Sequence, residues 1–194
     1  ALDVNFTVRT LLARNEDIDL VNAPDPAGSR DALVAAIDGA AGGGASPVTP
    51  GEARLALAAA LGNISGWYFS LQPEPTDLAG KIRQQIQWVK WARVYGNGPV
   101  AFADIARVAG GNPLWNVGVD YAEQLARSSQ RHLVQQAYRE AGLDLSTDLA
   151  ALAAAPRIAP DPGAVRYMYR YGVAVGRTPV PVLSMHTTGD GGTP

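Results

Sequence analysis

The sequence predicts a mainly α-helical chain that ends in one short β-strand of the kind found in parallel sheets. Apolar residues recur at spacings of three and four along most of the chain, capping residues precede these runs, and Gly or Pro breaks separate them. The strand is predicted by the apolar run 180–185, which leads into a polar, glycine-rich end. Upstream of it we expect about eight short helices.

Length and composition narrow the functional classes. The chain has 194 residues, 47% of them hydrophobic and 18% charged, which is typical of a globular domain. The net charge of −2 gives no basic field for a phosphate backbone, so we expect no nucleic-acid partner. No apolar stretch approaches the roughly 20 residues of a membrane span. No signal-peptide pattern, a charged region followed by an apolar one, begins at residue 1. We therefore expect any signal peptide to be absent or already removed.

In the first quarter of the chain, a helical turn is predicted over residues 6–13 and a short extended piece over 18–21. Ser29 is predicted to cap the next helix, because its hydroxyl can accept from the free amides of the first turn. The glycine-rich run 42–47 ends that helix and is typical of a flexible linker.

The middle of the chain carries the strongest helix signals. Residues 49–52, Thr-Pro-Gly-Glu, combine a capping box with Pro at the first helical position, and the helix should stop near Gly62. Asp77 is predicted to cap the longest helix. That helix has an apolar stripe with an aromatic stripe beside it. Because the two together cover a wide arc, we expect the helix to pack against more than one neighbouring element. The two stripes are Leu78, Ile82, Ile86, Val89 and Trp88, Trp91, Tyr95.

The last third predicts further short helices. One contains Phe102, Ile105 and Val108, and another lies near residues 119–126. Ser128 or Ser129 should cap the next one, which ends at Gly142. The stretches 146–155 and 161–171 complete the helices, each after a capping residue.

Most familiar catalytic motifs are missing from the sequence. It has no Gly-x-Ser-x-Gly elbow, Walker loop or dinucleotide-binding fingerprint. With no cysteine and two distant histidines, His132 and His186, we predict neither a metal site nor a cofactor. His132 stands on a helix and is expected at the surface.

Asp190 is the strongest candidate for chemistry. It follows the predicted strand within the stretch Thr187-Thr-Gly-Asp-Gly191. Catalytic side chains of parallel sheets collect beyond the carboxyl ends of strands, where a carboxylate can orient a histidine. The alternative is that Asp190 only serves a glycine-flanked turn, a position that aspartate suits well.

The C-terminal segment resembles a known family. Residues 179–191, Pro-Val-Pro-Val-Leu-Ser-Met-His-Thr-Thr-Gly-Asp-Gly, are similar to the strand that carries the triad acid in bacterial serine α/β-hydrolases of the actinobacterial type. The upstream helices resemble the region between the nucleophile and acid strands, through the stretches 49–61, 111–121, 141–149 and 155–167. The resemblance implies a helical cap or lid at 1–178 and an acid-bearing strand and loop at 179–194. It leaves the compartment open, with a secreted or extracellular bacterial location as the working expectation.

The same resemblance implies that the chain works with other segments. The family's nucleophilic serine lies before this region and its catalytic histidine after it, so the remaining α/β-hydrolase core would come from elsewhere in the polypeptide or from another chain. The implied reaction is hydrolysis of a small-molecule ester through an acyl-serine, with Asp190 as the triad acid. One departure is the ending Gly191-Gly-Thr-Pro194, where the family continues with an apolar pair.

Three consecutive aromatic residues are candidates for substrate contacts. Trp67, Tyr68 and Phe69 lie on an irregular segment, and lids present apolar walls to the substrate. The alternative is ordinary packing inside the helical region. A second function therefore stays open beside the hydrolase: a self-standing helical binding module with an apolar aromatic groove and no catalysis.

Overall fold

The computed structural model describes residues 1–42, 47–67 and 73–172, and these residues form a helical assembly. The mainly α prediction is confirmed, and no strand occurs within these residues. The predicted strand at 180–185 lies outside them. The helices are α1 (Leu2–Val8), continued by a π-helical turn (Arg9–Ala13), α2 (Pro26–Ala40), α3 (Pro50–Leu61), α4 (Leu78–Trp88), continued by a π-helical segment (Val89–Tyr95), α5 (Pro99–Ala109), α6 (Tyr121–Arg127), α7 (Arg131–Glu140), α8 (Leu145–Ala154) and α9 (Pro162–Tyr171).

Helix α3 lies at the centre of the assembly. Its capping box is confirmed, because the Thr49 hydroxyl accepts from the Glu52 amide and the Glu52 carboxylate accepts from the Thr49 amide. The rest of the helix is almost entirely Ala and Leu and is buried on all sides by α1, α2, α4, α6 and α7. A helix that is apolar all round is expected at such a central position.

The chain start is more helical than predicted. Helix α1 begins at Leu2, and its Asn5 is fully buried. The Asn5 amide donates to the Ala1 carbonyl at 2.9 Å and to the Arg93 carbonyl at 2.8 Å, which ties α1 to the π-helical segment after α4. The extended piece predicted at 18–21 is wrong. This stretch forms turns, in which the Asp19 carboxylate accepts from the Val21 and Asn22 amides.

Two predicted helix caps are also wrong. Helix α2 is capped by Asp25 rather than Ser29, because Pro26 follows at the first helical position and fixes the start four residues earlier. Helix α7 begins at Arg131 without a side-chain cap. The Ser128 hydroxyl instead donates to the Ala60 carbonyl at 2.9 Å, which joins the α6–α7 turn to α3.

Helix α4 buries one predicted stripe and exposes part of the other. Asp77 caps the helix as predicted, and Ile82 and Val89 are buried. In the aromatic stripe, however, Trp91 is 62% exposed. The wider π-helical turn from Val89 onward changes the angle between successive side chains, so the 3.6-residue spacing no longer applies there. Trp91 stacks on Tyr95 at the surface, with ring centroids 4.9 Å apart.

Candidate functional site

The sequence predicts four site residues, and one of them, Trp67, lies within the described residues. Asp190, Tyr68 and Phe69 lie outside the described residues, so their roles stay predictions. Trp67 is half-buried at the end of the segment that follows α3, and its amide donates to the Ser65 hydroxyl at 3.2 Å. Trp67 lines a cleft of about 420 Å³ between this segment and the first turns of α4 and α7.

A glycine and a buried amide hold the Trp67 segment against the helices. A β-carbon at Gly66 would come within 2.9 Å of the Lys81 β-carbon on α4 and 3.3 Å of a Leu133 methyl on α7. Only glycine therefore permits this close approach. One turn further along α4, the fully buried Gln85 donates from its side chain to the Ile64 carbonyl at 2.9 Å. The position of the indole thus depends on α4 rather than on the segment alone.

The described walls of the cleft are mostly polar. Beside the indole they present the hydrophobic side chains Leu78 and Leu133. The remaining lining residues carry hydroxyl, amide, imidazole or charged groups; they are Ser65, Glu74, Thr76, Lys81, Ser129, Gln130, His132 and Gln136, with Gly66. Lys81 Nζ lies 3.5 Å from Glu74 Oε1 in a pair open to water, which holds the two groups only weakly. The cleft can thus donate and accept hydrogen bonds around an aromatic face.

His132 lies at this cleft, and its predicted surface position is confirmed. Its Nε2 is 3.4 Å from a guanidinium nitrogen of Arg131. No cluster of three or more His, Asp or Glu side chains suited to a metal ion occurs in the described part of the chain. The described residues of the cleft thus offer hydrogen-bonding and charged groups beside the Trp67 indole.

A partly buried ion pair joins α3 to α8, and no sequence pattern predicted it. The Arg54 guanidinium on α3 donates to both carboxylate oxygens of Asp148 on α8, at 2.9 and 3.4 Å. The Tyr138 hydroxyl on α7 donates to Asp148 Oδ2 at 2.9 Å. Burial, and then the negative charge of Asp148, raise the pKa of Tyr138 well above its usual range. This cluster joins three helices and has a structural role.

A second buried cluster joins α1 to α6. The Tyr121 hydroxyl donates to Asp3 Oδ1 at 3.1 Å and accepts from the Asn116 amide at 2.9 Å. Burial, followed by the Asp3 charge, raises the pKa of Tyr121. The Arg157 guanidinium lies over the Tyr121 ring at 4.7 Å and over the Phe6 ring at 5.6 Å. Arg54 lies 94 positions from Asp148, and Asp3 lies 118 positions from Tyr121, so no local pattern could have indicated the contacts that join these helices.

Comparison with known proteins finds a curated relative of this chain. Neither protein-family profiles nor solved structures match the chain. A protein of Xanthobacter agilis named o-phthalyl amidase is 32% identical over 155 residues, which cover 75% of this chain and 34% of that protein. The chain thus spans about a third of the length of this curated relative. Within the described residues, no helix is both long and apolar enough to cross a membrane.

Proposed function

We propose that the chain is part of a hydrolase that transfers an acyl group from an amide or ester to water. The observation that carries this proposal is the similarity to a protein named an amidase, which extends over three quarters of the chain. It agrees in reaction class with the resemblance of residues 179–191 to the acid strand of serine hydrolases. The ester predicted from the sequence is here widened to include amides, because both bonds break through the same acyl-enzyme.

In this proposal residues 1–178 form a helical cap over the substrate, and residues 179–194 provide the acid-bearing strand and loop. The helical character of the described residues supports the first part. A cap of this kind needs a catalytic core beside it, and the relative is about three times as long as the matched region. We therefore assign the serine and histidine to other segments of the hydrolase, in the same polypeptide or in a partner chain.

The chemistry assigned to Asp190 is that of a triad acid. The serine hydroxyl attacks the carbonyl carbon, and the histidine takes the hydroxyl proton and passes it to the departing amine or alcohol. Water then attacks the acyl-serine and releases the carboxylic acid. Asp190 orients the imidazole and stabilises its protonated form throughout, without changing its own charge.

Trp67, Tyr68 and Phe69 are proposed to contact the substrate. The support is that the Trp67 indole lines a cleft that also carries hydrogen-bonding groups. Polar groups placed around an aromatic ring fix the orientation of a bound small molecule. We propose an aromatic acyl group as the first substrate to examine, because the relative's name specifies a phthalyl group.

A direct test compares two proteins on a phthalyl amide and on a nitrophenyl ester. The 194-residue chain alone should show no turnover, because it lacks the proposed nucleophile and base. The full-length protein that contains this chain should hydrolyse at least one of the two substrates. Turnover by neither protein would contradict the proposal.

The second function, a helical binding module without catalysis, has one observation in its favour. The helices enclose a hydrophobic core built from residues of this chain alone. Binding of an aromatic amide by a full-length protein that never cleaves it would establish this alternative.

A further inference from the structure

Helix α9 carries an apolar stripe that is only partly covered. Ala164, Tyr167, Met168 and Tyr171 follow the i, i+3, i+4, i+7 spacing that places side chains on one face of a helix. Ala164, at the start of this stripe, is buried against the assembly, whereas Tyr167 is 37% exposed and Tyr171 is 65% exposed. The stripe therefore runs from the core outward. In its second half the Tyr167 and Tyr171 rings contact each other, with centroids 4.9 Å apart, and the Arg170 guanidinium lies 5.3 Å from the Tyr171 centroid, yet most of the Tyr171 side chain stays exposed.

The start of α9 is well anchored. Its cap Asp161 accepts from the Gly163 amide at 2.8 Å, and the Asp161 amide donates to the Asn112 carbonyl at 2.6 Å. The helix packs on α5. A ten-residue helix is too short to be stable on its own in water, so packing must hold its last turns. The described residues provide that packing only near the start.

Other large apolar side chains are exposed on elements next to the start of α9. Val108 on α5 is about half exposed, and so are Trp115 and Val117 in the loop that follows it. Two backbone hydrogen bonds tie this loop to the residues that lead into α9: Asn116 donates to the Ile158 carbonyl, and Asp161 donates to the Asn112 carbonyl. Several large apolar side chains exposed on neighbouring elements are typical of an interaction surface.

We infer that the stripe of Tyr167, Met168 and Tyr171 packs against the catalytic core of the hydrolase. This inference rests on the proposed function. The matched region makes up 34% of the amidase from Xanthobacter agilis, so most of a hydrolase of that size lies outside it. The proposed acid strand begins at Pro179, seven residues after Gly172, and so within roughly 25 Å of the end of α9. A core that contains this strand is therefore within reach of the exposed half of the stripe.

Tyrosine is well suited to the proposed contact between α9 and the catalytic core. Its ring removes a large apolar area from water on packing, while its hydroxyl keeps a hydrogen-bond partner or water at the edge of the contact. The opposite face of α9 differs, since it carries Arg166 and Tyr169, which are both exposed. Tyr169 is 63% exposed, almost the same as Tyr171, so the helix contains its own matched control.

The experiment places one cysteine at a time in the full-length protein, because this stretch has none of its own. Tyr171→Cys and Tyr169→Cys are compared by their rates of thiol modification, after subtraction of any reaction by cysteines of the flanking segments in the parent protein. We expect Tyr169→Cys to react at least about tenfold faster, since only position 171 is covered in the folded state. Tyr167→Cys should be protected like Tyr171→Cys, and it replaces that variant if the latter does not fold.

Equal rates at positions 169 and 171 in a protein that still hydrolyses its substrate would overturn the inference. Protection at 171 that disappears on dilution would also overturn it, because a second copy of the protein would then be the covering partner. The rates are measured without substrate. A protein that fails to hydrolyse but protects position 171 would therefore contradict the proposed reaction and leave the docking intact.

Discussion

Helices α3 and α9 begin alike and end differently. Each starts with a capping side chain followed by proline, Thr49-Pro50 in α3 and Asp161-Pro162 in α9. Nearly every residue of α3 is buried, whereas Ala164 is the one buried residue of α9 within the described structure. Local sequence therefore sets where a helix begins, and the surrounding chain decides whether its apolar face is covered. The neighbours that bury α3 belong to this chain, whereas α9 packs on α5 and keeps its last turn exposed, the part for which we propose the catalytic core as cover.

The prediction with the largest expected effect compares the truncation of a buried side chain of α3 with that of an exposed side chain of α9. Leu57→Ala in α3 should lower the free energy of unfolding by about 3–5 kcal/mol, because the side chain is fully buried and the site cannot collapse around the cavity. Tyr171→Ala in α9 should change it by less than about 0.5 kcal/mol in the 194-residue chain. Urea denaturation of both variants measures these changes. A large loss from Tyr171→Ala would show that α9 is already packed within this chain.

A smaller effect on stability is expected from Tyr138, the buried tyrosine on α7 that contacts Asp148. Because the pKa of Tyr138 is raised in the folded state, its stabilising contribution is complete below the unfolded pKa of about 10 and is lost as the pH rises above it. The wild-type chain should therefore lose up to about 1.4 kcal/mol more per pH unit above pH 10 than Tyr138→Phe. Unfolding free energies at pH 9, 10 and 11 provide the comparison. Parallel curves would mean that Tyr138 is not buried as a neutral phenol.

The features that sequence predicted well are local. The helix start at Thr49 needs only four residues, and it forms as predicted. Ser29 failed because the stronger signal, Asp25 followed by Pro26, lies four residues earlier. Trp91 failed because helical spacing assumes 3.6 residues per turn, which the π-helical segment abandons. In each failure the residue type was suitable, and a competing local geometry determined the outcome.

The candidate site was only partly predictable for a different reason. The contact between Arg54 and Asp148 joins residues 94 positions apart, and the cleft is lined both by Trp67, on the segment after α3, and by His132 on α7. No spacing rule connects such residues, because they meet only through the packing of helices on α3. Asp190 is predicted from its place after a strand-like run and from the family resemblance, and Tyr68 and Phe69 are predicted, with Trp67, as an aromatic cluster on an irregular segment. All three stay predictions.

The most direct measurement for the central claim is the effect of Asp190→Asn on hydrolysis by the full-length protein. The substitution keeps the size of the side chain and removes its negative charge, so the histidine would lose its orienting partner. We expect kcat to fall by about four orders of magnitude, while Asp31→Asn, at an exposed position on α2, should leave it unchanged. Near-wild-type turnover by Asp190→Asn would contradict the assignment of the triad acid and, with it, the account of this chain as the acid-bearing part of a hydrolase.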